Sequence, residues 1–386
     1  MFSYLLSIAS ALPWIFVLNN GRASVSTIPS LKDIPAKDNH ADDPLNKLSV
    51  VIAARNEAQR LEQALRSLAA QTHPNFEIII VNDRSTDETG PLIDKLAAEF
   101  PDKIRPEHVT ELPEGWLGKC NALEIGGAAA TGDYILFTDA DVEFEPTVLE
   151  RTHRYASAEN ADQLAVFPET LATGFWEKSM LNAFMICFML WFQPRRVMQR
   201  NTGKYLGIGA FNMIKAEMYR KIKGHKFLRL QVVDDVGLGK LVKFSGGKVR
   251  ILWGQDFVKV RWQDSLAGTI RGLEKNFFAW ANYSVFVAAL AVAGVWIMFL
   301  WPWIGLFIGP TLARIIAAFA VILQVLVAGA SARKAGYGLL QAIVVWFGGL
   351  CLSIAMLLST SKTLRQGGIV WRDSFYPLKD LRQFKL

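Results

Sequence analysis

Between residues 48 and 138 the chain alternates short apolar runs with stretches whose apolar positions recur at helical spacing. The runs at 48–54, 76–81, 104–109 and 134–138 predict strands, and 57–70, 91–100 and 119–130 predict helices. Strands alternating with helices imply a mainly parallel, Rossmann-like α/β sheet. In such sheets ligands bind beyond the carboxyl ends of the strands. Polar clusters sit at those ends: Ala54-Arg55-Asn56-Glu57, then Asn82-Asp83-Arg84-Ser85-Thr86-Asp87, then Asp139-Ala140-Asp141.

Longer apolar stretches flank this region. Residues 283–309 and 338–360 carry no charge, and 312–330 carry only Arg314. Each is long enough for a bilayer, which takes about 20 apolar residues. Residues 4–18 are apolar but short, and no basic segment precedes them, so they read as a retained anchor rather than a cleaved signal. The stretch 175–192 is apolar with interspersed methionines, and suits either a core helix or a segment in the headgroup layer that delivers a lipid.

The net charge of +7 raises nucleic acid as a partner. The basic residues instead gather beside apolar stretches: Arg195, Arg196 and Arg200, then Arg333 and Lys334, then Lys362 onwards. That distribution points to an anionic leaflet and away from nucleic acid. Three scattered cysteines, Cys120, Cys187 and Cys351, form no disulfide framework, which places the α/β region in the cytoplasm. Three spans after it would then carry the basic tail outside, against the positive-inside tendency. A re-entrant segment, an interfacial break at Trp301-Pro302-Trp303 or a tail lying along the membrane surface would each resolve the conflict.

Asp139 and Asp141 are hard oxygen donors at a strand end, suited to Mg²⁺ or Mn²⁺ that also takes waters and phosphate oxygens. The same pair can cap a following helix. No G-x-G-x-x-G turn follows either of the first two strands, and Gly118-Lys119-Cys120 lacks the spacing of a P-loop. A bound nucleotide therefore needs another phosphate partner, and the proposed metal supplies one. Asp234 and Asp235 form a second acidic pair. Mutual repulsion and partial burial suit one of them to act as a base, the favoured reading, while two acidic residues at a helix N-terminus are the plain alternative. The small residues Gly207 and Gly209 upstream leave room for a sugar close to backbone.

Five motifs in register carry a family resemblance: Ala54-Arg-Asn-Glu57, Asn82-Asp-Arg-Ser-Thr-Asp87, Gly115-Trp-Leu-Gly-Lys119, Phe137-Thr-Asp-Ala-Asp141 and Val233-Asp-Asp-Val-Gly-Leu-Gly239. Together they resemble the family 2 glycosyltransferases of GT-A fold. Gly272-Leu-Glu-Lys275-Asn276 and the segment from Trp371 to Pro377 narrow the resemblance to hopene-associated and carotenoid glycosyltransferases, with ceramide glucosyltransferases more distant. The resemblance implies that Ala54, Arg55, Glu57 and Asp83 hold the nucleoside of a nucleotide-sugar donor, that Lys119 lies near the base or diphosphate, and that Asp139 and Asp141 bind metal and diphosphate. Asp235, or its neighbour Asp234, would be the base of an inverting displacement. The Q-x-x-R-W segment of processive members is missing, and Arg271 and Lys275 stand at a distance that suits a substitute. They equally suit a basic interfacial helix.

The expected organisation is an anchor at 1–20, a linker at 21–46, a GT-A domain at 47–260, an interfacial amphipathic segment at 261–282, transmembrane helices at 283–360 and a basic tail at 361–386. The expected function is sugar transfer from a nucleotide-diphosphate donor to a lipid hydroxyl at the cytoplasmic face of the cell membrane by a multi-pass enzyme. Transfer to polyprenyl phosphate, synthesis of an exported polysaccharide and non-catalytic nucleotide-sugar binding are the alternatives.

Overall fold

The computed structural model describes residues 1–36, 45–372 and 374–384. Positions 37–44 of the predicted linker, and 373, 385 and 386 of the predicted tail, lie outside the described residues. The chain forms two units. One comprises Ile28–Thr170 and Arg196–Arg261 with the last residues from Gln383, and the other comprises Met1–Thr27, Leu171–Arg195 and Trp262–Arg382.

The first unit is an eight-stranded sheet. Its strands are β1 (Leu48–Ala54), β2 (Phe76–Asp83), β3 (Ile104–Val109), β4 (Tyr134–Asp139), β5 (Val142–Phe144), β6 (Gln163–Thr170), β7 (Asn212–Lys215) and β8 (Val249–Val260), in the order β3-β2-β1-β4-β7-β6-β8-β5. The strands β3, β2, β1 and β4 run parallel, as do β6 and β8. The strand β7 enters antiparallel between β4 and β6, and β5 lies antiparallel on β8. The sheet is thus mainly parallel, as the alternation of elements requires. Register aligns Ala54 with Asn82 and Ala53 with Asp139, so the polar ends of β1, β2 and β4 lie side by side. Beneath them Leu48, Val50, Ile52, Leu61, Leu65, Ile78, Ile80 and Leu136 form a fully buried core.

The second unit is helical. Phe2–Thr27 runs 26 residues, well past the predicted end of the apolar stretch. The polar residues there do not stop it. Asn20 Nδ2 donates to the Phe16 carbonyl at 3.0 Å and Ser26 Oγ to that of Ala23, which keeps these side chains helical. Further long apolar helices are Val285–Gly305, Thr311–Lys334 and Val345–Gln366, making four among the described residues that are long and apolar enough to cross a membrane. The Trp301-Pro302-Trp303 segment does not break the first of these three. Residues Trp296–Leu300 wind as a π turn, with the Trp301 N–H donating to the Trp296 carbonyl, which accommodates Pro302 within a continuing helix. Phe175–Phe192 belongs to this unit, where Met180, Ala183 and Ile186 enter its core beside Trp14, Phe299 and Ala328. Two of its buried polar side chains donate to neighbouring helices: Ser179 Oγ to the Val344 carbonyl at 2.8 Å and Asn182 Nδ2 to that of Ala328 at 3.0 Å.

Candidate active site

The site grows from the strand ends. After β1 the chain turns at Asn56, whose φ of 53° is left-handed, and after β2 it turns at Arg84, with φ 55°. The two turns are tied together. The Asn56 N–H donates to Ser85 Oγ at 3.1 Å, and Asn56 Oδ1 accepts from the Thr86 N–H at 2.8 Å. The Glu57 N–H donates to Thr89 Oγ1 at 2.8 Å, at the start of the helix Ala58–Ala69. These bonds set the edge on which Ala54, Arg55, Glu57 and Asp83 stand.

Asp83 is buried, and the local turn bond belongs to its neighbour, because Asn82 Oδ1 accepts from the Ser85 N–H. The Asp83 carboxylate instead accepts from Arg84 Nε at 2.7 Å and faces Arg55 Nη1 at 3.9 Å. Gly118 opens the helix Gly118–Ala129 against it, and a Cβ at that position would overlap Asp83 Oδ2. Only glycine permits this approach.

Lys119 follows in the first helical turn, an unfavourable end of the dipole for a cation. Carboxylates overcome that cost. Its Nζ donates to Asp139 Oδ1 at 2.8 Å and lies 3.5 Å from Asp234 Oδ1. Burial alone would lower its pKa, but Asp139, Asp234 and Asp235 hold it well above the ordinary lysine value.

Asp139 ends β4, and the chain turns at Ala140 and Asp141 before β5. The backbone is therefore not extended across this pair, and the two carboxylates face different cations. Asp141 Oδ2 lies 3.6 Å from Arg60 Nη1. Burial first, then the charges of Asp139 and Glu57, push Asp141 up to about 7. The helix-cap reading of the pair fails, since the next helix is Val148–Ala158, with Thr147 at its N-cap. Hard oxygen donors and a repulsion that Arg60 leaves unrelieved fit Mg²⁺ or Mn²⁺. Among the described residues no three His, Cys, Asp or Glu side chains converge into a protein cage, so the donor set suits an ion that keeps other oxygen ligands.

Asp234 and Asp235 open the helix Asp234–Phe244. Asp234 is buried, and its Oδ2 lies 3.9 Å from His225 Nε2. Burial raises its pKa against the opposing pull of Lys119. Asp235 is half-buried, and burial followed by the Asp234 charge pushes it up to about 7. Burial and Lys119 hold His225 down to about 3, so it is neutral. Glycines bring this helix to the strand ends. A Cβ on Gly207 would overlap the Asp235 carbonyl, and one on Gly239 would overlap that of Leu206. A Cβ on Gly209 would lie 2.8 Å from Asp139 Oδ2 and 3.6 Å from Asp235 Oδ2. A small cavity lined by Lys119, Asp139, Gly209, Asn212, His225 and Asp235 marks the meeting point.

The structure thus brings together Lys119, Asp139, Gly207, Gly209, Asp234 and Asp235, with Asp83 beside Gly118 and Arg55 facing Asp83. Arg271 and Lys275 belong to the other unit. Arg271 Nε donates to the Ala267 carbonyl of its own helix, and Lys275 Nζ lies 4.1 Å from the centre of the Trp371 ring. Sequence reasoning missed Arg60, Arg84, His225 and Asn212. Arg60 lies in the first turn after β1, so its place on the strand-end edge was legible there. His225 sits on a four-residue helix and carried no sequence signal.

A profile of "Glycosyl transferase family 2" matches residues 49–223, from β1 to the helix Ala216–Lys221. This region is a family 2 glycosyltransferase domain. Asp234 and Asp235 lie just beyond the matched segment. An uncharacterized glycosyltransferase of Nostoc sp. is 43% identical over 105 residues, covering 27% of this chain and 31% of that protein. The 4,4'-diaponeurosporenoate glycosyltransferase of Staphylococcus haemolyticus is 27% identical over 218 residues, covering 55% of this chain and 56% of its own. The chain therefore spans about a third to a little over half the length of these relatives. Among solved structures, a mannosyltransferase from Pyrobaculum calidifontis in complex with GDP-Man and Mn²⁺ superposes with a TM-score of 0.51 at 18% identity, covering 94% of this chain and 98% of that one. The glycosyltransferase domain shares its GT-A fold.

Proposed function

We propose that the protein is an inverting glycosyltransferase that moves a sugar from a nucleotide-diphosphate donor to a lipid hydroxyl at the cytoplasmic face of the cell membrane. The observation that carries this reading is the chain Asp139–Lys119–Asp234, which ties the end of β4 to the helix bearing Asp235. Ala54, Arg55, Glu57 and Asp83 would hold the nucleoside. Lys119 would meet the diphosphate, with Asp139 and Asp141 holding Mg²⁺ or Mn²⁺. A bound cation supplies charge neutralisation for the departing diphosphate.

In the reaction the acceptor oxygen attacks the anomeric carbon and its proton passes to Asp235. The bond from that carbon to the diphosphate breaks with its electron pair, and the nucleoside diphosphate leaves. Attack opposite the leaving group inverts the anomeric centre. Asp235 suits the proton acceptor because it is half-buried at the cavity and raised towards neutrality. Asp234, engaged with Lys119, would position that cation. A lipid acceptor is supported by the four apolar helices and by relatives named for 4,4'-diaponeurosporenoate, a carotenoid.

The test is Asp235→Asn with radiolabelled donor in the full-length protein. Product formation should fall by roughly 10²–10⁴-fold while donor binding persists. Turnover retained at the wild-type level would remove Asp235 from the reaction, and lipid extracts lacking a sugar-bearing product would remove the lipid acceptor.

A further inference from the structure

The apolar pattern shows where the helical unit can cross a membrane, but not in which direction each helix runs. Contacts within the unit supply the directions. Ser7 Oγ lies 3.3 Å from Trp301 Nε1, and Trp14 Nε1 donates to the Met298 carbonyl at 2.9 Å, so Phe2–Thr27 runs antiparallel to Val285–Gly305. Thr27 and Val285 each lie about 20 Å beyond that level, at 1.5 Å per residue, and so share one end of the unit. The loop before Thr311 marks the opposite end, where a Cβ on Gly309 would meet Ser3.

Thr311–Lys334 returns. Arg314 Nε donates to the Leu306 carbonyl, while Gln324 Nε2 reaches the Phe299 carbonyl at 3.2 Å, so Lys334 points towards the end that bears Thr27. Val345–Gln366 then runs the same way again. A Cβ on Gly349 would crowd Phe299. Ser359 Oγ accepts from the Phe278 N–H at 2.9 Å, and Lys362 Nζ pairs with Glu274 at 2.9 Å. Beyond the helix, Arg382 donates to the Tyr283 carbonyl. Two successive helices thus finish at the same end, and the connector between them must fold back.

The connector packs on protein along one side, where Gln341 and Ala342 are buried, and turns the apolar side chains of Leu339, Leu340 and Ile343 outward. The Tyr337 N–H donates to the Ala332 carbonyl at 2.7 Å, and a Cβ on Gly329 would lie 3.7 Å from that of Ala342, so the chain doubles back along the helix it has just left. Gly336 makes the turn at φ 71°. Non-helical backbone at membrane depth is tolerated where protein covers it. The helix that follows suits a partial entry. Its apolar part ends before Ser359-Thr360-Ser361-Lys362, leaving roughly 14 residues, about 21 Å, against a hydrocarbon core of about 30 Å. It is also 50% buried inside the protein, against 22% and 39% for the two helices before it.

We propose that Val345–Gln366 is re-entrant and delivers the C-terminal hairpin onto the anionic lipid surface at the end of the unit that bears Thr27. The hairpin, β9 (Gly368–Trp371) and β10 (Ser374–Pro377), follows the helix after Gly367 alone. Val370 and Phe375 are directly opposed across it, 54% and 51% exposed. Arg365, Lys379 and Arg382 are exposed on the elements that flank the hairpin in sequence, with Asp380 the one exposed acid among the described residues there. An exposed apolar pair flanked by an excess of cations matches a headgroup layer with anionic lipid. The other end carries no charge in its loop, residues 305–311, and Arg314 alone beside it, whereas Arg22, Arg333, Lys334, Arg365 and Lys379 lie on the Thr27 side, the excess that the positive-inside tendency describes. The inference rests on the membrane reading of the helices and not on the reaction.

The test uses the full chain with single cysteines added, the unsubstituted protein reporting any labelling of its three native cysteines. A membrane-impermeant maleimide applied to oriented vesicles should label Lys379→Cys from the same side as Arg22→Cys and from the side opposite Phe307→Cys. Labelling of Lys379→Cys from the Phe307 side overturns the re-entrant helix. In liposomes of phosphatidylcholine with added phosphatidylglycerol, an environment-sensitive dye on Phe375→Cys should shift to the blue and resist an aqueous quencher. Arg365→Glu with Lys379→Glu should reverse both effects. A dye equally quenched with and without phosphatidylglycerol, and unmoved by the charge reversals, overturns the lipid contact.

Discussion

Lys119 Nζ lies 2.8 Å from Asp139 Oδ1, joining the first turn of one helix to the carboxyl end of a strand twenty residues later. The same ammonium reaches Asp234, so one side chain links the two acidic pairs that the sequence presents separately. A compact, rotatable cation suits this position between two carboxylates better than a planar fork does.

Replacing that cation should therefore harm both folding and turnover. Lys119→Met leaves Asp234 buried without its partner, and breaking such a pair costs about 3–5 kcal/mol; the lysine side chain is a quarter exposed, which places the loss at the lower end. Thermal unfolding in detergent should show this destabilisation. Donor binding by calorimetry should weaken in the same variant, and Lys119→Arg should restore stability more than kcat/KM.

Gly209→Ala and Gly207→Ala should separate activity from folding. A methyl at 209 meets only the ends of Asp139 and Asp235, whereas one at 207 meets backbone. Gly209→Ala should thus lower kcat/KM with little change in Tm. Gly207→Ala should lower Tm, by the about 1–3 kcal/mol typical of overpacking or more. Equal Tm values for the two would contradict this assignment.

The rate should fall on the acid side. With Asp235 raised to about 7, protonation removes the proton acceptor, so kcat/KM should decline as pH drops through that value. A divalent cation beside Asp139 favours ionised carboxylates and should move the limb lower as its concentration rises. The pH–rate profile at two Mg²⁺ concentrations checks both statements, and a profile flat from pH 8 to 5 would contradict them.

Buried histidines should also draw stability down in mild acid, for a different reason. His73 and His153 are buried with a 2.8 Å bond between their rings, and the Asn75 N–H donates to His73 Nδ1, so the shared proton belongs to His73 Nε2 and both rings are neutral. Burial, aided by the facing ring, holds His73 down to about 3; burial holds His153 down to about 4, and His225 down to about 3. The unfolded chain takes up these protons near pH 6.5 and the folded chain does not. Each histidine therefore withdraws up to about 1.4 kcal/mol per pH unit as pH drops from 6.5 towards 4, opposed by Asp141 and Asp235, which the folded chain protonates at about 7 and the unfolded chain only near 3.8. The Tm of His153→Phe should accordingly lose less than that of the wild type between pH 7 and 4.5, and equal losses would show that these histidines charge freely in the folded protein.

Much of this architecture was legible beforehand because the information is local. The runs that became β1 to β4 are apolar and bounded by turn residues, and the predicted helices begin within two residues of the observed ones. The strands β5 to β8 were not anticipated; β5 and β7 are three and four residues long and are held by antiparallel partners distant in sequence. The N-terminal helix ran beyond its apolar stretch because its polar side chains bond back to their own helix. Asp83, Lys119, Asp139 and Asp235 were legible because each stands at a strand end or first helical turn. His225 was not, since nothing in its neighbours distinguishes it from an ordinary polar residue, and Arg84 stood in a marked strand-end cluster without a role of its own.

The sequence by itself determined the α/β alternation, the acidic pairs and the apolar segments, because hydrophobic period and strand-end chemistry are written within a few residues of one another. Only the tertiary structure decided which cation each carboxylate meets, and in which direction the last helix runs. Lys119 touches Asp234 across more than a hundred residues, and Ser359 meets Phe278 across eighty-one. Contacts of that separation depend on how whole elements pack, and no local pattern encodes them.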